Sequence, residues 1–428
     1  MLMSQVGAMA MAGTPTAIAA HPDAAASSAP EAAAPAAAVS ASAEAYAERL
    51  ARDPANPELR FRLGMALMEA GRTREAIRQF RHLLADQPQA VRVRLELARA
   101  YYVARDYANA ERQFRLAGAA NLPAIVSANV DRYLKSIREM RSWSFSASFA
   151  LAPDTNINAA TAAETIELYG LPFDLSEAAR RSSGVGVYGQ IGAEWAPRLS
   201  ARVRQRFGAS LSQRDYQGQQ FDDMVLSAYL GPRVTLGRFA LAAAGTASRR
   251  WYGGQTYSRM LGGQADIAYY PGTRTAISLQ ASASDLRHKG ATHLNGALLG
   301  LSLGVTRSLD KQSLGNLRVG INRHDAANRA FAQTSYTAGA IYARELPMGF
   351  SLSLQPGFSY SRFDGVFAAF GTARRDTSYS LGVSALNRKV TLGRFAPRVG
   401  VSHTINESNI ALYAYRRTRF DIGVTTIF

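Results

Sequence analysis

Two periodicities divide the chain. From Ala43 to residue 140 apolar residues recur every three to four positions, as on one face of an α-helix. From Arg141 to Phe428 they recur at every second position, as in strands with one apolar face. Leu299, Leu301, Leu303 and Val305 alternate with Gly300, Ser302, Gly304 and Thr306. The same alternation sets Phe350, Leu352 and Leu354 against Ser351, Ser353 and Gln355, and Tyr379, Leu381 and Val383 against Ser380, Gly382 and Ser384. Turn signals cut this half into fourteen segments, centred near residues 147, 190, 206, 228, 245, 265, 279, 301, 319, 339, 354, 381, 400 and 423. These are longer than the strands usual in a soluble sandwich, and their even number is what a bacterial outer-membrane barrel has. A run of about 18 apolar residues, long enough for a spanning helix, does not occur, which leaves a closed barrel as the way to cross a bilayer.

Within the helical part a repeat of 34 residues stands out: Leu63 and Gly64 recur as Leu97 and Ala98, Ala76 as Ala110, and Phe80 as Phe114. Asn56-Pro57 opens a helix, Gly71 ends it, Thr73 starts its partner and Pro88 closes the unit. Gly64, Ala76, Ala98 and Ala110 allow paired helices to approach closely, with Phe80 and Phe114 filling the gap between repeats. The pattern resembles tetratricopeptide repeats. The expected fold is therefore a multidomain α + β chain, in which a short helical repeat domain over 43–140 precedes a transmembrane antiparallel β-barrel of about 14 strands over 141–428. Residues 1–42 form a signal-like segment and an Ala/Pro/Ser-rich linker. The stretch 6–20 resembles an apolar signal region closing near Ala17 and Ala19. It carries no positive leader, so either that leader lies upstream of Met1 or the stretch is an Ala-rich tail.

In the barrel part, Arg202, Arg204 and Arg206 share one face of a predicted strand. Facing lipid, each would cost roughly 2–4 kcal/mol at the midplane, so the row is expected to face a wet lumen. Short turns are expected at Ala196-Pro197-Arg198, Leu236-Gly237-Arg238, Pro271-Gly272, Leu346-Pro347-Met348 and Leu392-Gly393-Arg394, and long polar loops at 152–183, 363–374 and 405–418. Short turns face the periplasm in such barrels, which puts the helical domain there. Trp143, Trp195 and Trp251 then fall at rims, as interfacial aromatics do. A heptapeptide, Val-Thr-Leu-Gly-Arg-Phe-Ala, occurs at 234–240 and 390–396, and shared turn chemistry at Gly237 and Gly393 accounts for it.

Charge modifies this picture little. The net charge is +17, but the 49 basic residues, of which only Lys135, Lys289, Lys311 and Lys389 are lysine, are spread out, so nucleic acid is not an expected partner. With no cysteine, thiol chemistry and disulfides are excluded. The six histidines have no metal-ligand spacing, and no hydrolase or nucleotide-binding motif occurs. No enzymatic activity, metal or cofactor is expected. His288, His293, His324 and His403, placed in or beside outer loops, keep a rim-located hydrolase as an alternative.

Asp154-Thr155-Asn156-Ile157-Asn158 after the first strand, the stretch Ser408-Asn409-Ile410-Ala411-Leu412-Tyr413-Ala414-Tyr415-Arg416-Arg417, and the closing strand to Phe428 together resemble the surface lipoprotein assembly modifiers, over residues 43–428. The resemblance implies an outer-membrane protein that assists export of surface lipoproteins, or related secreted proteins, across the outer membrane. On the last strand Phe420, Ile422, Val424 and Phe428 share a face and resemble the signal read by the barrel-assembly machinery. Expected partners are thus outer-membrane lipids, a lipoprotein or secreted client, and that machinery. The rival reading is an anion-preferring diffusion porin with a periplasmic helical domain, favoured by 31 basic against 18 acidic residues beyond residue 142. A membrane anchor displaying the helices is a third.

Overall fold

A computed structural model describes residues 36–120, 122–140, 142–390, 392 and 395–426. The signal-like stretch 6–20, Gly393 and Phe428 lie outside the described residues.

Among the described residues six helices come first: α1 (Ala36–Arg52), α2 (Pro57–Glu69), α3 (Thr73–Asp86), α4 (Val91–Val103), α5 (Tyr107–Gly118) and α6 (Ala124–Met140), each packed on the next. Local chemistry sets their ends. The Asn56 side chain accepts from the amides of Glu58 and Leu59, both at 3.1 Å, and Pro57 occupies the first turn, where its missing N–H costs nothing. After α2 the chain reverses through Gly71 at φ 72°, and the equivalent position of the next repeat, Arg105, adopts φ 59°. Leu63, Leu97 and Phe114 are buried, and Ala76, Phe80, Ala98 and Ala110 are fully buried in one continuous core. Gly64 is required by packing: a Cβ there would lie 2.5 Å from the Phe80 ring.

Sixteen strands follow among the described residues: β1 (Trp143–Asp154), β2 (Thr165–Leu168), β3 (Leu171–Asp174), β4 (Gly184–Trp195), β5 (Val203–Tyr216), β6 (Asp223–Leu236), β7 (Phe239–Tyr252), β8 (Gln255–Tyr269), β9 (Thr275–His288), β10 (Gly296–Ser308), β11 (Ser313–Ala326), β12 (Gln333–Glu345), β13 (Phe350–Phe367), β14 (Thr372–Asn387), β15 (Ala396–Ser408) and β16 (Tyr415–Thr425). All but β2 and β3 form a closed antiparallel barrel in which β1 pairs with both β4 and β16. Each of the fourteen segments read from the alternation falls on one barrel strand. The exposed face carries Leu299, Leu301, Leu303, Leu352, Leu354 and Leu381, while Ser302, Ser353 and Gly382 alternate with them on the other face. A wall that is apolar outside and small or polar inside inverts a soluble protein and matches a lipid-embedded barrel.

Three loop expectations are corrected. Within 152–183 a separate hairpin, β2–β3, turns at Tyr169 and Gly170, both at positive φ. The polar stretches 363–374 and 405–418 are largely strand, because β13 and β14 extend to Phe367 and from Thr372, and β15 and β16 to Ser408 and from Tyr415. Polar composition there marks strand ends that project from the apolar belt while still making ladder hydrogen bonds.

Candidate functional site

The expected short turns lie at the end where α6 leads into β1, and there the helical domain is fastened to the barrel. Glu345, the last residue of β12, is 3% exposed and receives three guanidinium groups. Arg94 of α4 donates at 2.8 Å, Arg112 of α5 at 3.2 Å, and Arg388, just after β14, makes a close contact. Burial pulls the Arg112 guanidinium down to about 10 even though Glu345 favours its charge. The desolvation of this cluster is therefore large, and the carboxylate is what makes it tolerable. Around it, Arg81 donates to the Arg388 carbonyl and Lys389 pairs with Asp86 at 3.1 Å. A second fastening lies on the β8–β9 turn, where Arg274 donates to the carbonyls of Gly118 and Ala120 at 2.9 and 3.0 Å, satisfying the C-terminal end of α5. Arg115 returns a bond to the Thr273 carbonyl at 3.3 Å. With attachments at β1, at the β8–β9 turn and at the β12–β13 and β14–β15 turns, the helices bridge the mouth.

The repeat explains how Arg94 came to this position. In the first copy Arg60 donates to Gln79 and to the Pro54 carbonyl. In the second copy, 34 residues on, Arg94 donates to Gln113 at 2.6 Å and to the Pro88 carbonyl at 2.5 Å. An intra-repeat device has thus gained a barrel carboxylate. The composition of the repeat held that signal, since Pro54, Arg60 and Gln79 recur at the same spacing as the apolar matches.

At the opposite mouth the two sequence pieces Asp154–Asn158 and Ser408–Arg417 meet. Asp154 accepts from Arg417 at 2.6 to 3.1 Å, from the Tyr216 hydroxyl at 3.3 Å and from the Asn156 amide at 2.9 Å. Asn156 is fully buried; its side-chain Nδ2 donates to the carbonyls of Ala160 and Arg416 at 2.8 and 3.1 Å. Thr155 and Thr418 exchange bonds, from the Thr155 amide to the Thr418 carbonyl and from the Thr418 amide to the Thr155 hydroxyl. This clasp closes the β1–β16 seam. The seam needs it, because Pro153 has no N–H to give, and the ladder skips from Leu151–Ile422 to Asp154–Arg419. Nearby Arg374 lies between the rings of Phe363 and Tyr413 and chelates Asp376.

The other sequence-predicted residues fall as follows. Arg202 sits exposed one residue before β5, so the basic row within the strand is Arg204 and Arg206. Arg206 is neutralised by Glu194 at 2.7 Å, with Tyr229 bonded to both, and Arg204 donates to the Ala196 carbonyl. Trp143 and Trp195 stack at 5.7 Å, with Phe207 against Trp195 at 5.1 Å, at the end nearest the helices; Trp251 lies at the far end of β7 under Arg249. Phe420, Ile422 and Val424 are exposed along one face of β16. His288 ends β9, His293 lies in the following connection, His324 is buried in β11, and His403 lies inside β15, two residues before the stretch 405–418, and bonds Thr418. Among the described residues no group of three or more His, Cys, Asp or Glu could hold a metal ion.

A family model described as surface lipoprotein assembly modifier matches residues 143–428, and a tetratricopeptide repeat model matches 31–89 and 67–124. Surface lipoprotein assembly modifier 1 of Neisseria meningitidis serogroup B is 26% identical over 366 residues, covering 83% of this chain and 73% of the relative. Its namesake from Haemophilus influenzae is 20% identical, covering 85% and 76%. Among solved structures, the outer membrane channel DcaP of Acinetobacter baumannii overlaps 66% of this chain and 97% of its own, at 8% identity and a TM-score of 0.39. A family match across the whole barrel, repeats ahead of it, and a wall apolar on its outside place this chain in the outer membrane and make it a member of the surface lipoprotein assembly modifier family.

Proposed function

We propose that this protein assists movement of surface lipoproteins, or related secreted proteins, across the outer membrane, with its helical domain in the periplasm receiving the client at the barrel mouth. The observation that carries this reading is the fastening at Glu345, which holds a repeat domain of a kind that commonly presents a binding face across one opening of the barrel. A nutrient pore gains nothing from helices over its entrance, whereas a transporter of polypeptides needs a surface there. The named relatives are assembly modifiers of surface lipoproteins, which supports the same client class. Outer-membrane lipids would contact the apolar belt between the aromatic rims of Trp143, Trp195 and Trp251. The β16 face of Phe420, Ile422 and Val424, continued to Phe428, would be read by the barrel-assembly machinery. No catalysis is part of this role.

The test is co-expression with candidate lipoproteins, followed by protease accessibility at the cell surface. Clients should become accessible with the intact chain and less so when residues 43–140 are removed. Equal exposure of every client without the protein would defeat the export reading; full exposure with the barrel alone would defeat only the role given to the helices. The porin reading keeps one specific support, the basic excess of the barrel. A constitutively open, anion-selective conductance of the intact chain in planar bilayers would favour it.

A further inference from the structure

Where the outward wall of the barrel reaches the end far from the helices, the ladder lines up charge. Arg249 of β7 pairs with Arg259 of β8, and Arg259 with Arg287 of β9, so three exposed arginines stand side by side on neighbouring strands. They share the outward parity of Leu241, Leu261 and Leu279, and the Arg249 guanidinium lies 5.2 Å from the ring of Trp251, two residues further along β7. The row therefore marks the edge of the apolar belt, at headgroup level. Like charges directly opposite on adjacent strands repel. Asp285 answers Arg287 at 2.8 Å, and Arg249 donates to the Thr256 hydroxyl at 3.1 Å. Toward the middle of the belt the wall falls away. Beneath Arg249 the outward residues of β7 are Ala247, Gly245 and Ala243; the ladder runs from Gly245 through Gly263 to Ala283, and from Ala243 through Ala265 to Ala281. These two rows line a shallow apolar trough of about 610 Å³, flanked by Leu230 on one side and by Leu299 and Leu301 on the other. Gly245 lies about 13 Å along the strand from Arg249. Local packing does not demand glycine there, since a Cβ on Gly245 or Gly263 would meet nothing closer than 3.9 or 3.5 Å. At Arg362 and Arg375, which also pair outward between β13 and β14, the two features do not coincide, because Phe358, Tyr360 and Tyr379 fill the wall beneath them.

We infer that this part of the wall is a lipid site, in which the headgroup phosphate of an anionic lipid lies on Arg249, Arg259 and Arg287 and an acyl chain fills the trough. Planar guanidinium forks match phosphate oxygens in pairs, and an anion shared along the row relieves the repulsion within it. Both ends of such a lipid are met in the right order, with positive charge at the belt edge and an apolar trough toward the midplane. With the helices in the periplasm, the lipid belongs to the outer leaflet. The site faces the membrane and not the lumen, so it stands independently of the export reading.

Native mass spectrometry of the full chain in detergent tests it, with diphosphorylated lipid A as probe and phosphatidylcholine, whose headgroup carries no net charge, as control. Retention of lipid A where phosphatidylcholine is not retained is expected. Affinity for lipid A should fall at least tenfold in the triple variant R249Q/R259Q/R287Q, fall also in Gly263→Phe, which fills the trough, and stay unchanged in R362Q/R375Q. Each variant must keep the folded, heat-sensitive gel band; if the triple variant loses it, Arg259→Gln alone must show a weaker loss of lipid A in the same direction. Equal retention of the two lipids, equal affinity in the triple variant, or an equal loss in R362Q/R375Q overturns the proposal. Full displacement of lipid A by inorganic phosphate would identify a free-anion site, and a dimer abolished by Gly263→Phe would assign the trough to a second copy of the chain; either result overturns the lipid assignment.

Discussion

Single residues at two places are asked to do what no neighbour could replace. The Gly64 backbone is held against the Phe80 ring, so the Cβ of Gly64→Ala, 2.5 Å from that ring, forces a fully buried Phe80 to move. Overpacking of this kind costs about 1–3 kcal/mol, and thermal unfolding of the helical signal, followed by circular dichroism, should shift down by several degrees. At Asp154 the issue is charge. Asp154→Asn leaves the buried Arg417 uncompensated, at a cost of about 3–5 kcal/mol, whereas Asp154→Asn with Arg417→Gln removes both charges and should recover much of it. The temperature at which the folded gel band disappears reads both variants, and equal losses in single and double variants would show that the ion pair is not what the clasp depends on. Gly64 was legible from the sequence, since a small residue recurs there as Ala98 at the repeat spacing. The Asp154–Arg417 pair was not: its members are far apart in the chain and meet only when β1 closes on β16.

Between elements, the decisive contact is the mount of the helices on the rim. With Glu345→Gln, the guanidinium groups of Arg94, Arg112 and Arg388 face one another without an anion, and like charges at such range repel strongly in a partly desolvated site. Faster hydrogen exchange across α3 to α5 is expected, with the barrel strands unchanged; unchanged exchange in the helices would mean that the Arg274 fastening suffices. His82 on α3 adds a pH dependence. Burial, and then Arg60 and Lys389, lower its pKa below 6.5 in the docked form, while Asp86 acts the other way. A histidine with a depressed pKa favours the docked form fully above the free value and less as pH falls below it. Lowering pH from about 7.5 to 5.5 should therefore loosen α3 against the Lys389 turn, and His82→Gln should flatten that dependence in the same exchange measurement. The elements themselves were readable, because fourteen alternating segments and a repeat are local patterns. Their ends were less so: polar strand extensions beyond the belt look like loops when only composition is visible, as at 363–374 and 405–418.

For the whole molecule, the barrel's inversion of inside and outside makes adjacent residues differ in what they tolerate. Leu301 and Ser302 are neighbours at the middle of β10, Leu301 exposed on the apolar wall and Ser302 on the inward face beside Gly320. In a soluble protein of the same sequence pattern, the leucine would be the buried residue and the serine the exposed one. A charge would then be ruinous at Leu301 through core disruption and harmless at Ser302 through contact with bulk water, so the ranking alone does not separate the two architectures. The membrane does. Leu301→Arg should cost roughly 2–4 kcal/mol only when lipid surrounds the wall, because the penalty is transfer of a guanidinium into hydrocarbon near the midplane. In a zwitterionic detergent, whose headgroups and water can reach the side chain, that penalty should shrink, whereas a core disruption would persist. Measured as the stability of the folded gel band in phosphatidylcholine bilayers and in detergent micelles, Leu301→Arg should fall well below the natural chain in bilayers and approach it in micelles. Ser302→Arg, whose side chain extends into the wet lumen, should stay close to the natural chain in both. A Leu301→Arg defect of the same size in both media would place that face against protein, not lipid, and the outward apolar belt would need another explanation.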